Sequence, residues 1–156
     1  MKICCFTGHR DICAQDIVRL PHAIDATLDR LIASGFSVFR AGGAVGFDTV
    51  CALKVLEKKK EHPSVKLELC LPCKDQTNGW PQRDISIYKY ILSAADSVKY
   101  VGEKYRSGCM HERNRMLVDG SDVCVAYCKE SKGGTAYTCK YALKCKVELI
   151  NLADLM

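Results

Sequence analysis

Ser37-Val38-Phe39-Arg40-Ala41-Gly42-Gly43-Ala44-Val45-Gly46-Phe47-Asp48 is the stretch that decides the fold. A short run of strand character enters a glycine-rich turn. The turn opens into Phe47–Lys60, where Val50, Leu53 and Leu56 recur at helical spacing as an inward face. Strand, glycine turn and helix in that order make the first half of a parallel crossover unit. The alternation continues in both directions. Upstream, Lys2–Phe6 reads as a strand. Ile17, Leu20, Ile24, Leu28, Leu31 and Ile32 then mark a helix that Asp16 caps and Gly35 stops. Downstream, Val65, Leu67, Leu69 and Leu71 alternate with Lys66, Glu68 and Cys70, the pattern of a half-exposed edge strand. Pro81–Ala95 is a helix with Pro81 in its first turn, followed by a strand at Ser97–Val101. Met110–Val118 is a helix ended by Asp119-Gly120, Thr135–Lys144 is the last helix and Val147–Leu152 the last strand. Between those helices, Val123–Tyr127 is apolar except for one hydroxyl, as a central buried strand should be. The order predicts an α/β fold. A doubly wound, mostly parallel sheet of about six strands carries helices on both faces, and residues 1–156 form one domain.

Composition narrows the functional classes. The chain has 156 residues, 48% hydrophobic and 26% charged, which suits a soluble globular chain with a full core and argues against disorder or a fibre. No apolar stretch approaches the ~18–20 residues of a membrane span. The run Ile3–Phe6 is too short for a signal-peptide core, so a cytoplasmic protein without membrane partners is expected. The net charge of +5 is spread thinly among acidic residues. Its densest run, Lys58-Lys59-Lys60, falls at a helix end, where cations favour the dipole and water. So diffuse a positive surface does not predict a nucleic-acid partner. The 11 cysteines are odd in number and cannot all pair. Several, including Cys4, Cys5 and Cys124, lie in strand-like runs and read as small buried hydrophobes. Cys70-Leu71-Pro72-Cys73 has C-x-x-C spacing but no second pair, so neither metal nor cofactor is expected.

Ligands of open parallel sheets bind beyond the carboxyl ends of the strands, and the unusual residues fall in those loops. Thr7-Gly8-His9-Arg10 follows the first strand, and His9 and Arg10 add donors there, with His9 also an acid–base candidate. Gly42, Gly43, Ala44 and Gly46 lead into a helix, an arrangement that brings backbone N–H groups and a positive dipole to an anion. Asp48 either accepts from a sugar hydroxyl or caps that helix. Gly133-Gly134-Thr135 repeats the device before the last helix, and two such turns on one edge suggest a phosphate or pyrophosphate between them. Thr135 donates to phosphate, acts as a cap, or does both. Arg113 is the better placed of two helix arginines to offer a fork to phosphate or carboxylate, while Arg115 pairs on the surface or reaches a neighbouring chain. Cys109 precedes the same helix and packs. Trp80, the one tryptophan, stacks on a nucleobase or anchors the third helix. The G-x-x-x-x-G-K-[ST] pattern of a P-loop is absent.

In order, Thr7-Gly8-His9-Arg10, Gly42-Gly43-Ala44-x-Gly46-x-Asp48, Gln76-x-x-x-Trp80, Gly108-Cys109-Met110-x-x-Arg113-Asn114-Arg115, Val118-Asp119-x-Ser121-Asp122 and Gly133-Gly134-Thr135 resemble the YpsA/YoqJ-like branch of the SLOG superfamily. The likeness covers nearly the whole chain and implies a Rossmann-like fold. It also implies binding of a nucleotide or nucleotide-derived signal, in some members within phage–bacterium conflict. SLOG relatives include the LOG phosphoribohydrolases and the DprA DNA-processing proteins. Met110-His111-Glu112-Arg113-Asn114 is similar to the LOG helix motif M-H-E-R-K, which puts Arg113 at the position of the LOG catalytic arginine. The LOG loop P-G-G-x-G-T-x-E-E survives only as Gly133-Gly134-Thr135, without its glutamates. Hydrolysis of an N-glycoside benefits from such a carboxylate; Asp48 and Glu112 are the substitutes available. The expectation is therefore a sensor or sequestering protein for a nucleotide or ADP-ribose-like ligand. Thr7, Gly8, His9, Arg10, Gly42, Gly43, Ala44, Gly46, Asp48, Trp80, Arg113, Asn114, Gly133, Gly134 and Thr135 are its binding residues. A nucleotide N-glycosidase is the first alternative and DprA-like single-stranded DNA binding the second. Related proteins pair through helices beside the ligand edge, which implies a homo-oligomer.

Overall fold

A computed structural model describes residues 1–156. Six strands, β1 (Lys2–Gly8), β2 (Phe36–Ala41), β3 (Lys66–Leu71), β4 (Ser97–Tyr100), β5 (Val123–Tyr127) and β6 (Glu148–Asn151), form one sheet in the order β4-β3-β2-β1-β5-β6. Every neighbouring pair is parallel. The helices are α1 (Arg19–Ala33), α2 (Phe47–Glu61), α3 (Gln82–Ala94), α4 (Cys109–Val118) and α5 (Gly134–Lys144). α2 packs on β1 to β3 and against both α1 and α3, whereas α4 and α5 pack together on the other side of the sheet. This is a Rossmann-like α/β fold. The chain leaves β1 toward β2 and returns to its other flank at β5, so the strand order reverses there. Such a reversal splays the loops apart and opens a crevice at the carboxyl ends of the strands.

The two faces are built differently. The α1–α3 side holds a cluster of 22 buried residues, in which Phe6 stacks on Phe39 at 6.2 Å and Phe47 on Tyr127 at 6.0 Å. The α4–α5 side holds seven: Cys5, Cys70, Cys124, Leu117, Val118, Ala142 and Val147. Alternation along β1 sends Cys4 and Phe6 to the thick side and Cys5 to the thin one. Small thiol side chains there let the short helix α4 lie close to the sheet. Eight of the cysteines are buried; Cys13 and Cys145 are exposed and Cys128 lies between. No helix is long and apolar enough to cross a membrane.

Several details differ from the sequence expectation. β3 is an interior strand between β2 and β4, and β4 is the edge. Its alternation reflects uneven cover of its two faces. Leu67, Leu69 and Leu71 enter the large core, while Glu68 accepts a 3.1 Å hydrogen bond from Arg40 Nε on the other face. On α2 the fully buried stripe is Phe47, Cys51, Ala52 and Val55; Val50 and Leu56 pack beside it as expected, and Leu53 is exposed. Helix α1 begins at Arg19, and Asp16 is not its side-chain cap. Asp16 instead accepts hydrogen bonds from Tyr127 Oη at 2.6 Å and Lys129 Nζ at 3.0 Å, which pins the β1–α1 loop to the end of β5. These donors hold its carboxyl well below the usual carboxylate range. Lys58 is buried and bridges Asp25 at 2.9 Å and Asp29 at 2.8 Å, tying α2 to α1 instead of facing water.

Candidate functional site

At the carboxyl ends of β1 and β2, between the α4–α5 layer and α2, lies a cavity of about 380 Å³. Thr7, Gly8, His9 and Arg10 come from the end of β1, and Ala44 and Asp48 from the entry to α2. Arg113 and Asn114 come from α4, and Gly134 and Thr135 from the start of α5. Four further lining residues, Phe6, Met110, His111 and Leu117, were not predicted. Met110 and His111 stand inside the quoted helix motif, where their neighbour Arg113 drew the chemistry. His111 stacks on Tyr137 at 4.2 Å, and Arg115 Nη1 donates to Tyr137 Oη at 2.8 Å. That contact joins α4 to α5 at the rim of the cavity.

The remaining predicted residues sit elsewhere. Gly42, Gly43, Gly46, Gly133 and Trp80 do not line this cavity. The β2–α2 glycines answer to packing within the protein. Gly42 lies beneath Arg113, whose Nη1 donates to its carbonyl; a Cβ on Gly43 would overlap Leu71, and one on Gly46 the Arg10 carbonyl. The glycines of the turn thus press against neighbouring residues and do not face this cavity. Glu112 points away from the cavity and is held by Arg106 through two hydrogen bonds of 2.9 and 2.6 Å. Gly133 sits at φ 100°, where glycine is favoured, and its place is to turn the chain into α5.

The charged groups of the cavity come in two kinds. Arg113 is 6% exposed and already engaged: Nε donates to Asn114 Oδ1 at 2.8 Å and Nη1 to Gly42 O. Its burial pulls the guanidinium pKa below the ordinary value, with Asp48 acting in the opposite direction. Arg10 is exposed and takes part in none of the ion pairs. No side chain caps the N-terminus of α5, so its first-turn N–H groups meet the cavity without a protein acceptor there. His9 Nε2 accepts from the Lys129 backbone N–H at 2.8 Å, and burial lowers the ring pKa, so the imidazole is neutral at pH 7 with its Nδ1 as donor. No group of three or more His, Cys, Asp or Glu side chains is disposed to hold a metal ion, and burial pushes both Cys70 and Cys73 thiols up to about 11.

Asp48 is 5% exposed and accepts a single 3.3 Å hydrogen bond, from the Ala44 N–H. Burial disfavours its charged form and raises its pKa to about 6, against the pull of Arg113. A folded-state pKa above the unfolded value means that the native state binds the extra proton. Asp48 thus supports stability fully below about pH 4, and this support is lost as pH rises through about 6. Denaturant titrations of wild type and Asp48→Asn between pH 4 and 8 should show the difference moving in favour of Asn up to about pH 7, then levelling off. The whole swing is on the order of 3 kcal/mol. A pH-independent difference would show that Asp48 is solvated like a surface carboxylate.

The reversed strand order, the helices on both faces and a polar cavity on the carboxyl edge define a Rossmann-like α/β protein with a crevice where its strand order reverses. The chain belongs to the YspA SLOG family (YpsA), whose profile matches residues 5–154. It is 30% identical over 141 residues to the SPbeta prophage-derived protein YoqJ of Bacillus subtilis (strain 168), covering 82% of each chain. It is 29% identical over 131 residues to a UPF0398 protein of Bacillus thuringiensis (strain Al Hakam), covering 83% of this chain and 71% of that protein. In structure it is similar to DNA processing protein A of Helicobacter pylori, a protein described for its single-stranded DNA binding mode. That likeness has a TM-score of 0.69 at 20% identity over 95% of this chain, which spans 63% of the length of that protein.

Proposed function

We propose that this chain binds a nucleotide or an ADP-ribose-like derivative in the cavity beside Arg113, and senses or sequesters it. One observation carries the reading. The buried Arg113, the unpaired Arg10 and the uncapped N-terminus of α5 converge on one cavity at the carboxyl edge of the sheet. Guanidinium forks and first-turn N–H groups are matched to phosphate oxygens. Asp48, on the same wall, is matched to a sugar hydroxyl. The β2–α2 glycines shape the wall, and phosphate rests on Gly134 and Thr135. The ligand is a nucleotide-derived small molecule and the setting a cytoplasmic homo-oligomer. The prophage origin of YoqJ supports a version in which the bound compound is a signal in phage–bacterium conflict. Calorimetry with AMP, ADP-ribose and cyclic nucleotides tests the reading. Binding of at least one with micromolar or better affinity is expected, and no heat from any of them would overturn it.

A second reading is favoured by Asp48. A carboxyl with a pKa of about 6 suits general acid–base work near neutral pH, as nucleotide N-glycoside hydrolysis requires. It is the one carboxylate lining the cavity, Glu112 being turned toward Arg106, and a single carboxylate favours binding over turnover. Release of free base from nucleoside monophosphates, lost in Asp48→Asn, would reverse the ranking. The likeness to DNA processing protein A weighs against leaving nucleic acid out. A gel shift with a single-stranded oligonucleotide that persists at moderate salt would establish that partner.

A further inference from the structure

Beside the phosphate cavity lies a second one, of about 310 Å³, enclosed by the β3–α3 loop and the approach to α4. Arg10 and Met110 line both, so the two meet at these side chains. Their chemistry differs. The first holds a buried guanidinium and carboxylate. The second is walled by Pro72, Cys73, Trp80 and Tyr105, with the side chains of Gln76, Asn78 and Asp75 among them, the Asp75 carboxylate already accepting from the Tyr105 N–H. We infer that this second cavity seats the planar base of the nucleotide, stacked against Trp80 and recognised along one edge by the carboxamide of Gln76. The inference rests on the proposed nucleotide reading and adds where the base goes and what distinguishes it.

Three observations support the assignment. The first is Gln76, whose Nε2 and Oε1 are both buried without a hydrogen-bond partner. An unmet buried amide is costly. A glutamine carboxamide matches a ring edge that carries an adjacent donor and acceptor, as adenine does. Turning the side chain from its position against Gly43 into the cavity it already lines would give both atoms partners. The second is Trp80, half-buried, with its ring held at 85° to Tyr88 and 5.6 Å away, a fixed aromatic platform at the cavity wall. The third is that the cavity is tied in place before any ligand arrives. Lys74 N–H donates to Glu103 O and Tyr105 N–H to Asp75 Oδ1, each at 3.0 Å, joining the loops after β3 and β4. Gly79, at φ 82°, makes the turn that presents Trp80. A phosphate on α5 and a base on Trp80 place the sugar at the junction, beside Arg10 and Met110.

The chain has one tryptophan, so its fluorescence reports on this cavity alone. AMP, ADP-ribose and ribose 5-phosphate are to be titrated by fluorescence and by calorimetry into wild type, Trp80→Ala, Trp80→Phe and Gln76→Leu. The base-bearing ligands should quench the emission and bind about 10- to 100-fold more tightly than ribose 5-phosphate, the range base–aromatic stacking gives. Trp80→Ala should bring all three ligands to the ribose 5-phosphate affinity, and Trp80→Phe should restore part of the difference. Gln76→Leu should weaken only the base-bearing ligands while leaving the melting temperature unchanged or higher. Equal affinity of wild type for AMP and ribose 5-phosphate, without quenching, would overturn the base site and leave the phosphate reading standing. Failure of all three ligands to bind would overturn both. Should Trp80→Ala fail to fold, the wild-type titration and Gln76→Leu decide the matter.

Discussion

Gly46→Ala is expected to destabilise the protein by about 3 kcal/mol or more, the range reserved for backbone strain combined with overpacking. Gly46 sits at φ 84°, a region that side chains disfavour. A Cβ there would also overlap the main chain of Arg10, including its carbonyl carbon and oxygen. A flexible side chain could swing aside; a backbone held by neighbouring hydrogen bonds cannot. Phe47 N–H donates to His9 O at 3.2 Å and His9 N–H to Tyr127 O at 3.3 Å, so a shift at Arg10 is transmitted to the ends of both β1 and β5. Gly35→Ala is the control. That glycine has a similar φ of 95° but nothing within 4 Å of its Cβ position, so its cost should be about 1–2 kcal/mol from conformation alone. Urea denaturation of the two variants separates the terms, and equal losses would show that the approach of Gly46 to Arg10 is not a tight one.

Arg113→Ala is expected to reduce affinity for any phosphorylated ligand at least 100-fold and to destabilise the free protein as well. The guanidinium joins three things: the Gly42 carbonyl, the Asn114 side chain and the field around Asp48. Removing it leaves the Gly42 carbonyl and Asn114 Oδ1 without their donor and takes away the charge that most favours ionised Asp48, a loss of about 1–3 kcal/mol. The loss should be greatest above pH 6, where Asp48 is ionised, and should shrink in more acidic solution as Asp48 takes up a proton. Arg113→Lys keeps the charge but not the fork, so it should recover more stability than affinity. Calorimetry and denaturation at pH 5 and pH 8 measure both effects. Unchanged affinity in Arg113→Ala would remove this residue from the binding surface.

The elements that the sequence made legible are those whose pattern has one cause. Val123–Tyr127 is apolar because helices or loops cover both its faces, and the observed β5 has the expected bounds. Where two causes give one pattern, the reading went astray. The alternation in β3 suggested an edge, yet it comes from a strand between two others whose polar side meets Arg40 beside a short helix. On α2 Val50 and Leu56 pack against the core as expected while Leu53 does not, and the fully buried stripe went unread because Cys51 and Ala52 carry burial without carrying bulk. Asp16 looked like a cap because caps and loop anchors use the same acceptor chemistry. The turn Gly42–Gly46 shows the same ambiguity at the site. Glycine permits close approach of a ligand or of the protein itself, and here the neighbours are Arg113, Leu71 and Arg10. Arg10, Arg113 and Gly134, far apart in the chain, do line one cavity. Met110 and His111 stand inside a motif legible in the sequence, but their place on the cavity wall follows from the seating of α4 on the sheet.

The unequal thickness of the two halves bears on how the crevice would respond to an occupant. Its outer wall is made by α4 and α5, which rest on a thin layer of thiols and small aliphatic groups, while its inner wall belongs to the aromatic-rich side. Elements with few apolar anchors are the first to loosen in a native protein. A molecule bridging the two walls would fasten the weaker to the stronger and draw its stabilising effect from the half that has least of its own.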